Sequence, residues 1–382
     1  MNKKTFLASL ILTIGLLASC IQDEALNTEA DIETITLPGD VMNRQAVFGD
    51  AITLADGTRI YPITLYVKRD TKLSALAPEL TLTEGATVQP ASGTTLDFDN
   101  GQTHTYTVTS QDGQWQRTYR VSVTTASLTT THYSFENIRL GGTPEKYHVF
   151  YETEIDWASG NPGYALADLN ETNPLNFPTY QGEQGYLNKC LTLQTRNAGS
   201  LAARVNMPIA SGNLFLGSFD VTDALSNALT ATQFGLPFDR VPVRLTGYYK
   251  YTPGPTFYVL DKSAPDKLRP VPGRTDRFDI YAVLYESTAA RPILDATNIL
   301  AEDNPQVISV AQIPEDEALP ADDWTPFDIP FHYRPGKTVD PDKLNDGQYN
   351  LVIVFASSER GAYFEGAPGS TLCIDEVDLI CE

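Results

Sequence analysis

Basic residues, cysteines and long apolar runs are scarce in this sequence of 382 residues, and each scarcity excludes a class of protein. Lys and Arg number 27 against 48 Asp and Glu, so the chain lacks the basic surface that nucleic acids and anionic membranes require. The four cysteines show no paired spacing, and the four histidines show no metal-ligand spacing. The composition therefore predicts no nucleic-acid partner, no disulfide framework and no histidine-based metal site.

The first twenty residues have the pattern of a secretory signal. Two lysines precede an apolar stretch over residues 6–18, which is too short to cross a membrane. The sequence Leu17-Ala18-Ser19-Cys20 resembles the bacterial lipobox, in which the chain is cut before the cysteine and its thiol carries a diacylglycerol. The resemblance implies a signal peptide over 1–19 and lipidation of Cys20 as the only membrane contact.

Residues 20–31 follow as an acidic tether. Within it, Gln22-Asp23-Glu24 resembles the export signal on surface lipoproteins of glycan-scavenging Gram-negative bacteria. This resemblance implies a location on the outer membrane, facing the cell exterior.

Short alternating runs of apolar and polar residues, bounded by Gly, Pro, Asn and Asp, recur along the chain, whereas helical periodicity is scarce. We therefore predict an all-β protein of two domains joined by a Thr-rich linker. The first covers 32–125 and contains a hairpin over 104–125 around a Gln-Asp-Gly turn. It resembles the immunoglobulin-like modules that precede larger domains in such lipoproteins, which implies an immunoglobulin-like β-sandwich.

The second domain covers 131–382, and its strands alternate between a polar and an apolar face. Strands are predicted over 215–221, 242–251, 276–285, 348–358 and 370–380. Antiparallel strands of this kind suit a sandwich of two sheets, and at this size a jelly-roll β-sandwich is expected.

An ordered set of motifs runs through the second domain. It includes WASGNPGYA (157–165), FGLPF (234–238), WTPFDIPF (324–331) and IVFASSERGAYFEGAPGSTLCIDEVDL (353–379). This set resembles the putative carbohydrate metabolism domain (PCMD) family of bacterial surface lipoproteins. The resemblance implies a jelly roll associated with glycan use, and it brings no established reaction.

Two tyrosine-rich strands, 242–251 and 276–285, predict a glycan-binding face, provided that their polar sides lie on one side of a sheet. Aromatic rings stack on the C–H faces of sugars, while charged groups bind the hydroxyls. The alternative is that β-propensity alone explains the tyrosines. The predicted glycan-binding side chains are Trp157, Arg244, Tyr248, Lys250, Asp279, Tyr281 and Tyr285.

A structural calcium is a second prediction. Glu136 lies near the start of the second domain and Asp375 near its end, as in the first and last strands of jelly-roll carbohydrate-binding modules, which this pair resembles. Carboxylates are hard oxygen ligands, but calcium needs about 6 to 8 oxygens, and the others have no assigned source.

Three functions remain open on the sequence. The leading hypothesis is a non-catalytic, surface-tethered protein that binds a polysaccharide or oligosaccharide, working with outer-membrane glycan-uptake proteins. The alternative is a glycoside hydrolase, which needs two carboxylates; Glu152, Glu154 and Asp279 are the candidates. The third is a structural or adhesin-like surface subunit.

Overall fold

The computed structural model describes residues 26–39, 41–42, 45–49, 51–54, 57–68, 71–125, 128, 130–152, 155–224, 227–288 and 290–382. The lipobox with Cys20 and the predicted export signal lie outside the described residues. Of the helices in these ranges, none has both the length and the apolar character needed to cross a membrane.

The strands are β1 (Ile32–Thr36), β2 (Val47–Phe48), β3 (Ile52–Thr53), β4 (Arg59–Tyr66), β5 (Glu79–Leu82), β6 (Thr87–Gln89), β7 (His104–Thr109), β8 (Gln116–Thr124), β9 (His132–Tyr133), β10 (Ile138–Gly141), β11 (Tyr147–Phe150), β12 (Thr179–Gly182), β13 (Cys190–Gln194), β14 (Arg196–Asn197), β15 (Ile209–Ala210), β16 (Asn213–Phe215), β17 (Gly217–Phe219), β18 (Thr232–Phe234), β19 (Leu236–Pro237), β20 (Pro242–Thr252), β21 (Tyr258–Leu260), β22 (Leu268–Pro270), β23 (Asp279–Glu286), β24 (Leu294–Asp295), β25 (Val307–Gln312), β26 (Ala321–Pro330), β27 (His332–Tyr333), β28 (Tyr349–Ala356) and β29 (Thr371–Cys381). The helices are α1 (Asn161–Ala167), α2 (Gly199–Arg204), α3 (Val221–Ala224), α4 (Ala228–Ala231) and α5 (Pro341–Asn345).

The N-terminal module is a sandwich of two sheets. Strands β2-β4-β8-β7-β6 form the larger sheet, with β3 paired to β4, and β1 pairs with β5 in the smaller one. The predicted hairpin is present as β7 and β8, which pair antiparallel, whereas β4 runs parallel to β8. Alternate residues of these strands, such as Ile63, Leu65, Tyr106, Val108 and Val121, are fully buried in one core.

The C-terminal domain is built on two antiparallel sheets. The front sheet has the order β12-β13-β29-β20-β26, with β9 paired to β29, and the back sheet has the order β16-β28-β23-β25-β27, with β19 paired to β28. Their facing sides share a core that includes Leu245, Ile280, Leu351, Phe355 and Ile374, all buried completely. The predicted fold class is therefore confirmed: an all-β chain with an immunoglobulin-like sandwich followed by a larger jelly-roll sandwich.

A third layer covers the outer side of the back sheet. Strands β17, β18 and β24 form a small sheet, and their apolar side chains enclose a second core with residues of β23 and β28. The predicted strand 215–221 is split between β16 and β17, because the chain changes sheet at Leu216 and Gly217. Gly217 has φ +149°, and a Cβ there would lie 2.1 Å from the Gln233 carbonyl oxygen. Only glycine allows this close approach of two backbones.

Candidate functional site

An aromatic platform lies on the outer side of the front sheet. We define it as Tyr248 on β20, Trp324 on β26 and Tyr186 from the loop between β12 and β13. The Tyr186 and Tyr248 rings stack with centroids 3.7 Å apart and planes 9° apart. Trp324 meets Tyr186 edge-on, at 6.4 Å and 79°. Tyr186 is 43 % exposed, so the free face of its ring is open to solvent.

Charged groups surround the platform. The Lys250 Nζ lies 5.2 Å from the centre of the Trp324 ring, a cation–π distance. Arg244 Nε donates to Asp328 Oδ1 at 2.5 Å, across β20 and β26. The hydrogen bond to Tyr186 raises the pKa of Tyr248 above its ordinary value, so this hydroxyl stays neutral at physiological pH. The surface therefore offers open ring faces beside both cationic and anionic hydrogen-bonding groups.

Two carboxyl groups, of buried Asp375 and half-buried Glu136, hold the loop that carries Tyr186. Asp375 Oδ2 accepts the Leu187 N–H at 2.9 Å, and Glu136 Oε1 accepts the Lys189 N–H at 3.1 Å. Gly185 is required at the base of the loop, since a Cβ there would lie 2.2 Å from the Lys189 carbonyl oxygen and 2.7 Å from Asp375 Oδ2. These contacts fix the backbone on both sides of Tyr186.

The predicted calcium ligands are thus anchors of this loop. Asp375 is fully buried, and desolvation raises the pKa of its carboxyl to about 6 although backbone N–H groups oppose the shift. Within the described ranges, no three His, Cys, Asp or Glu side chains cluster as metal ligands would. The calcium stays a prediction, and both carboxylates already accept hydrogen bonds from the backbone.

The prediction for Trp157 is wrong, because its ring does not lie at a rim. It is 3 % exposed and packs between the two sheets against Tyr133, Phe135 and Phe355. Ala158 pairs with Phe215 of β16, which places the residue before it inside the sandwich. Trp157 is a core residue.

The prediction that strands 242–251 and 276–285 share one side of a sheet is also wrong. Strand β20 belongs to the front sheet and β23 to the back sheet. Asp279, Tyr281 and Tyr285 are 8 %, 7 % and 0 % exposed, because the third layer and the neighbouring strands cover their side of β23. The Tyr285 hydroxyl donates to the Phe234 carbonyl at 2.6 Å, which satisfies a buried polar group rather than a ligand. Arg244, Tyr248 and Lys250 are the predicted residues that the structure brings together.

Of the three predicted catalytic carboxylates, the structure describes Glu152 and Asp279. Glu154 lies outside the described residues. Burial raises the pKa of Glu152, although a hydrogen bond from the Phe135 backbone and the charge of His132 oppose the shift. Asp279 accepts from Gln312 Nε2 at 3.0 Å, between β23 and β25 of the back sheet. Burial raises the pKa of Asp279 to about 7, and the charge of nearby Glu359 adds to the shift.

Sequence reasoning missed two members of the platform. Trp324 is the first residue of the motif WTPFDIPF. Phe327 and Ile329 alternate along β26 as its buried residues, and Trp324 has the opposite, outward parity, so this alternation was a usable signal. Tyr186 offered none, because it reaches Tyr248 through a loop whose path depends on Asp375 and Glu136.

Loop anchoring by Asp375 predicts a specific pH dependence. Folding raises the pKa of this carboxyl from its ordinary value to about 6, so the folded state binds the proton more tightly than the unfolded state. Its contribution to the free energy of unfolding therefore rises as the pH falls through 6 and is complete below the pKa of the unfolded chain. We expect Asp375→Asn to remove this part of the pH dependence in urea unfolding curves. The control is Asp323→Asn, at an exposed position of β26. If the free energy of unfolding changes with pH in Asp375→Asn as it does in the wild type, the prediction is contradicted.

Two family models match the chain. The model described as "Putative carbohydrate metabolism domain" matches residues 134–380, and that described as "SGBP, N-terminal" matches residues 52–123. The first covers the whole jelly roll with the platform, and the second covers most of the N-terminal module. No curated protein matches the chain.

Two solved structures are similar over long stretches. A crystal structure of a putative glycoside hydrolase from Bacteroides thetaiotaomicron is 45 % identical, with a TM-score of 0.79, and the match covers 94 % of this chain and 99 % of that one. Another putative glycoside hydrolase, from Bacteroides vulgatus, is 40 % identical with a TM-score of 0.61, covering 67 % of this chain and 100 % of that one. The chain therefore belongs to the putative carbohydrate metabolism domain family, carries an SGBP-type N-terminal module, and has a carbohydrate-related role.

Proposed function

We propose that the protein is a non-catalytic, surface-tethered glycan-binding protein, and that the aromatic platform is its binding face. One observation carries the proposal: the stacked Tyr186 and Tyr248 rings and Trp324 form a partly exposed aromatic surface on a sheet face where polar side chains would otherwise be expected. Contiguous apolar patches that are rimmed by polar residues are characteristic of binding surfaces. The matches to carbohydrate-related families support sugars as the ligand.

The platform fits a sugar better than it fits a protein partner. The partly exposed rings match the apolar C–H face of a pyranose, and Lys250 supplies a donor beside Trp324 for hydroxyl groups. The Arg244–Asp328 pair lies further along β20 and β26. The loop anchors at Asp375 and Glu136 hold Tyr186 in place before a ligand arrives. This preorganisation reduces the entropy that binding would otherwise cost.

Removal of exposed Tyr186 or half-buried Trp324 should weaken glycan binding. We expect Tyr186→Ala and Trp324→Ala each to reduce affinity for the best ligand of a glycan array about tenfold, since one stacked ring contributes about 0.5–1.5 kcal/mol beyond its buried area. Tyr333→Ala is the matched control, because Tyr333 is similarly exposed at 47 % but lies on β27 of the back sheet.

Calorimetry of the soluble mature form measures these affinities. No glycan binding tighter than roughly millimolar, or a wild-type affinity in both platform variants, would count against the proposal. If glycans fail but a pull-down captures a defined protein partner, the structural or adhesin-like function becomes the better one.

A glycoside hydrolase is the second candidate, and one observation favours it. Asp279 combines a pKa of about 7 with a second carboxylate, Glu359, close enough to raise that pKa further. Glycosidases use a pair of carboxyl groups, one with a raised pKa, as general acid and as nucleophile or base. Both similar crystal structures are called putative glycoside hydrolases.

This candidate predicts release of reducing ends from a polysaccharide. Asp279→Asn and Glu359→Gln should each lower that rate at least about a hundredfold, because each removes one of the two carboxylates. Glu317→Gln, an exposed carboxylate elsewhere on the domain, should leave it unchanged. Absence of reducing ends across the polysaccharides that bind would leave binding without catalysis.

We further infer that Cys20 carries the lipid that tethers the protein to the outer membrane, where glycan-uptake proteins are its partners. The lipobox resemblance and the SGBP-type module support this location. Cells fed labelled palmitate should incorporate it into the wild-type chain and not into Cys20→Ala, and protease added to intact cells should digest the wild type. Unlabelled or protease-resistant wild-type protein would contradict the inference.

A further inference from the structure

A cavity of about 320 Å³ opens beside the start of β23, away from the ring faces of the platform. Segments that precede β23, follow β20 and follow β28 enclose it. Its lining includes three arginines, two acids and one aromatic ring: Arg274, Arg277, Arg360, Asp276, Glu359 and Phe257. Acids pair with some of these arginines, so the question is which guanidinium is left without an acid partner.

Two of the arginines are already neutralised by acids. Arg277 Nη2 lies 2.7 Å from Glu359 Oε2 and also pairs with Glu315, while Arg360 Nε lies 3.1 Å from Glu365 Oε2. These ion pairs hold the walls of the cavity in place, and within each pair the acid neutralises the arginine. The third arginine of the lining, Arg274, takes part in neither pair.

Arg274 has no carboxylate partner among the residues that the structure describes. Its guanidinium carbon lies 4.0 Å from the centre of the Phe257 ring, which is 2 % exposed. The stacking fixes the plane of the guanidinium and leaves its N–H edge free for a ligand. An oriented guanidinium without an acid partner is suited to a bidentate anion.

The acid nearest to Arg274 in sequence does not neutralise it. Asp276 is buried, and its Oδ2 accepts from the Ser358 hydroxyl at 2.6 Å, from the Ala367 N–H at 2.7 Å and from the Ser370 hydroxyl at 2.7 Å. Its Oδ1 accepts the Arg277 N–H at 3.0 Å. Asp276 therefore joins the loops that form the cavity, with both oxygens engaged.

We propose that this cavity binds one anionic sugar unit, a hexuronate or a sulfated sugar, through a bidentate contact between its carboxylate or sulfate and Arg274. The volume of about 320 Å³ admits a single sugar unit and not a long oligosaccharide. The sugar class rests on the proposed function, whereas the anion specificity rests on Arg274 and is independent of the platform.

The test compares acidic and neutral forms of one ligand by calorimetry. The probes are a galacturonate trisaccharide, its fully methyl-esterified form and a sulfated disaccharide, titrated into the soluble mature protein. The variant is Arg274→Gln. Arg269→Gln is the matched control, since Arg269 lies on β22 outside the cavity and loses the same charge.

We expect an acidic probe to bind the wild type, the esterified form to bind at least about tenfold more weakly, and Arg274→Gln to lose about tenfold or more in affinity for the acidic probe. Arg269→Gln should stay within about twofold. If the sulfated probe alone binds with this dependence on Arg274, the anion is a sulfate ester. Equal affinity in Arg274→Gln and the wild type, or no binding of either acidic probe, would overturn the proposal.

A double variant, Tyr186→Ala with Trp324→Ala, separates this proposal from the proposed function. If the cavity binds glycans and the platform does not, the affinity for acidic probes still depends on Arg274 in the double variant. The affinity for neutral glycans is then the same in the double variant and the wild type. If the cavity fails and the platform does not, Arg274→Gln has no effect on any probe. Arg274 is exposed, and circular dichroism of both arginine variants checks that the fold is intact.

Discussion

The packing of the front sheet on the back sheet determines which side chains of this protein meet solvent. Residues of one parity on each strand are consumed by the core that the two sheets share, which includes Leu245, Tyr249, Ile280 and Ile374. On the back sheet the other parity is consumed as well, because β17, β18 and β24 cover it with a second core. The opposite parity of the front sheet is thus the broad sheet face left to carry Tyr248, Lys250 and Trp324. Because the third layer buries the outer side of the back sheet, the outer side of the front sheet is the sheet face that can meet a ligand.

The covering layer also explains where sequence reasoning succeeded and failed. Alternation along 242–251 and 370–380 identified strands and the outward residues Arg244, Tyr248 and Lys250, because period 2 is a local property. The same reasoning on 276–285 identified the strand but misassigned Asp279, Tyr281 and Tyr285. Alternation shows that two faces differ and not what packs on the second one, and tyrosines satisfy their hydroxyls in a buried layer as Tyr285 does with Phe234. Trp157 failed for the same reason, since neighbouring glycines suggest a surface loop while Ala158 is paired into the sandwich.

Glu136 and Asp375 show a subtler case. A resemblance to the first and last strands of carbohydrate-binding modules brought these two carboxylates together, and in the structure both accept hydrogen bonds from one loop, between β12 and β13. The sequence could not supply the hydrogen-bond partners of these carboxylates, since both cations and backbone N–H groups stabilise a carboxylate. Here the N–H groups of Leu187 and Lys189 are present, and through them the two acids place Tyr186 on Tyr248. The two carboxylates that were predicted as metal ligands therefore help to fix the position of the Tyr186 ring in the platform.

The platform and the cavity lie along one pair of strands. Thr252 ends β20 opposite Thr371, which begins β29, and from this point the chain leads to Phe257 on one side and back to Glu359 and Arg360 on the other. Lys250, which lies against Trp324 of the platform, pairs with Cys373 just before that end. A single sugar on rings gains little free energy, and so does a single anion on one partly hydrated guanidinium. A glycan chain that binds at both the platform and the cavity loses its translational freedom only once. The second contact then forms at a high effective concentration. If both proposed sites bind, one acidic glycan chain that reaches both would be held more tightly than by either site alone.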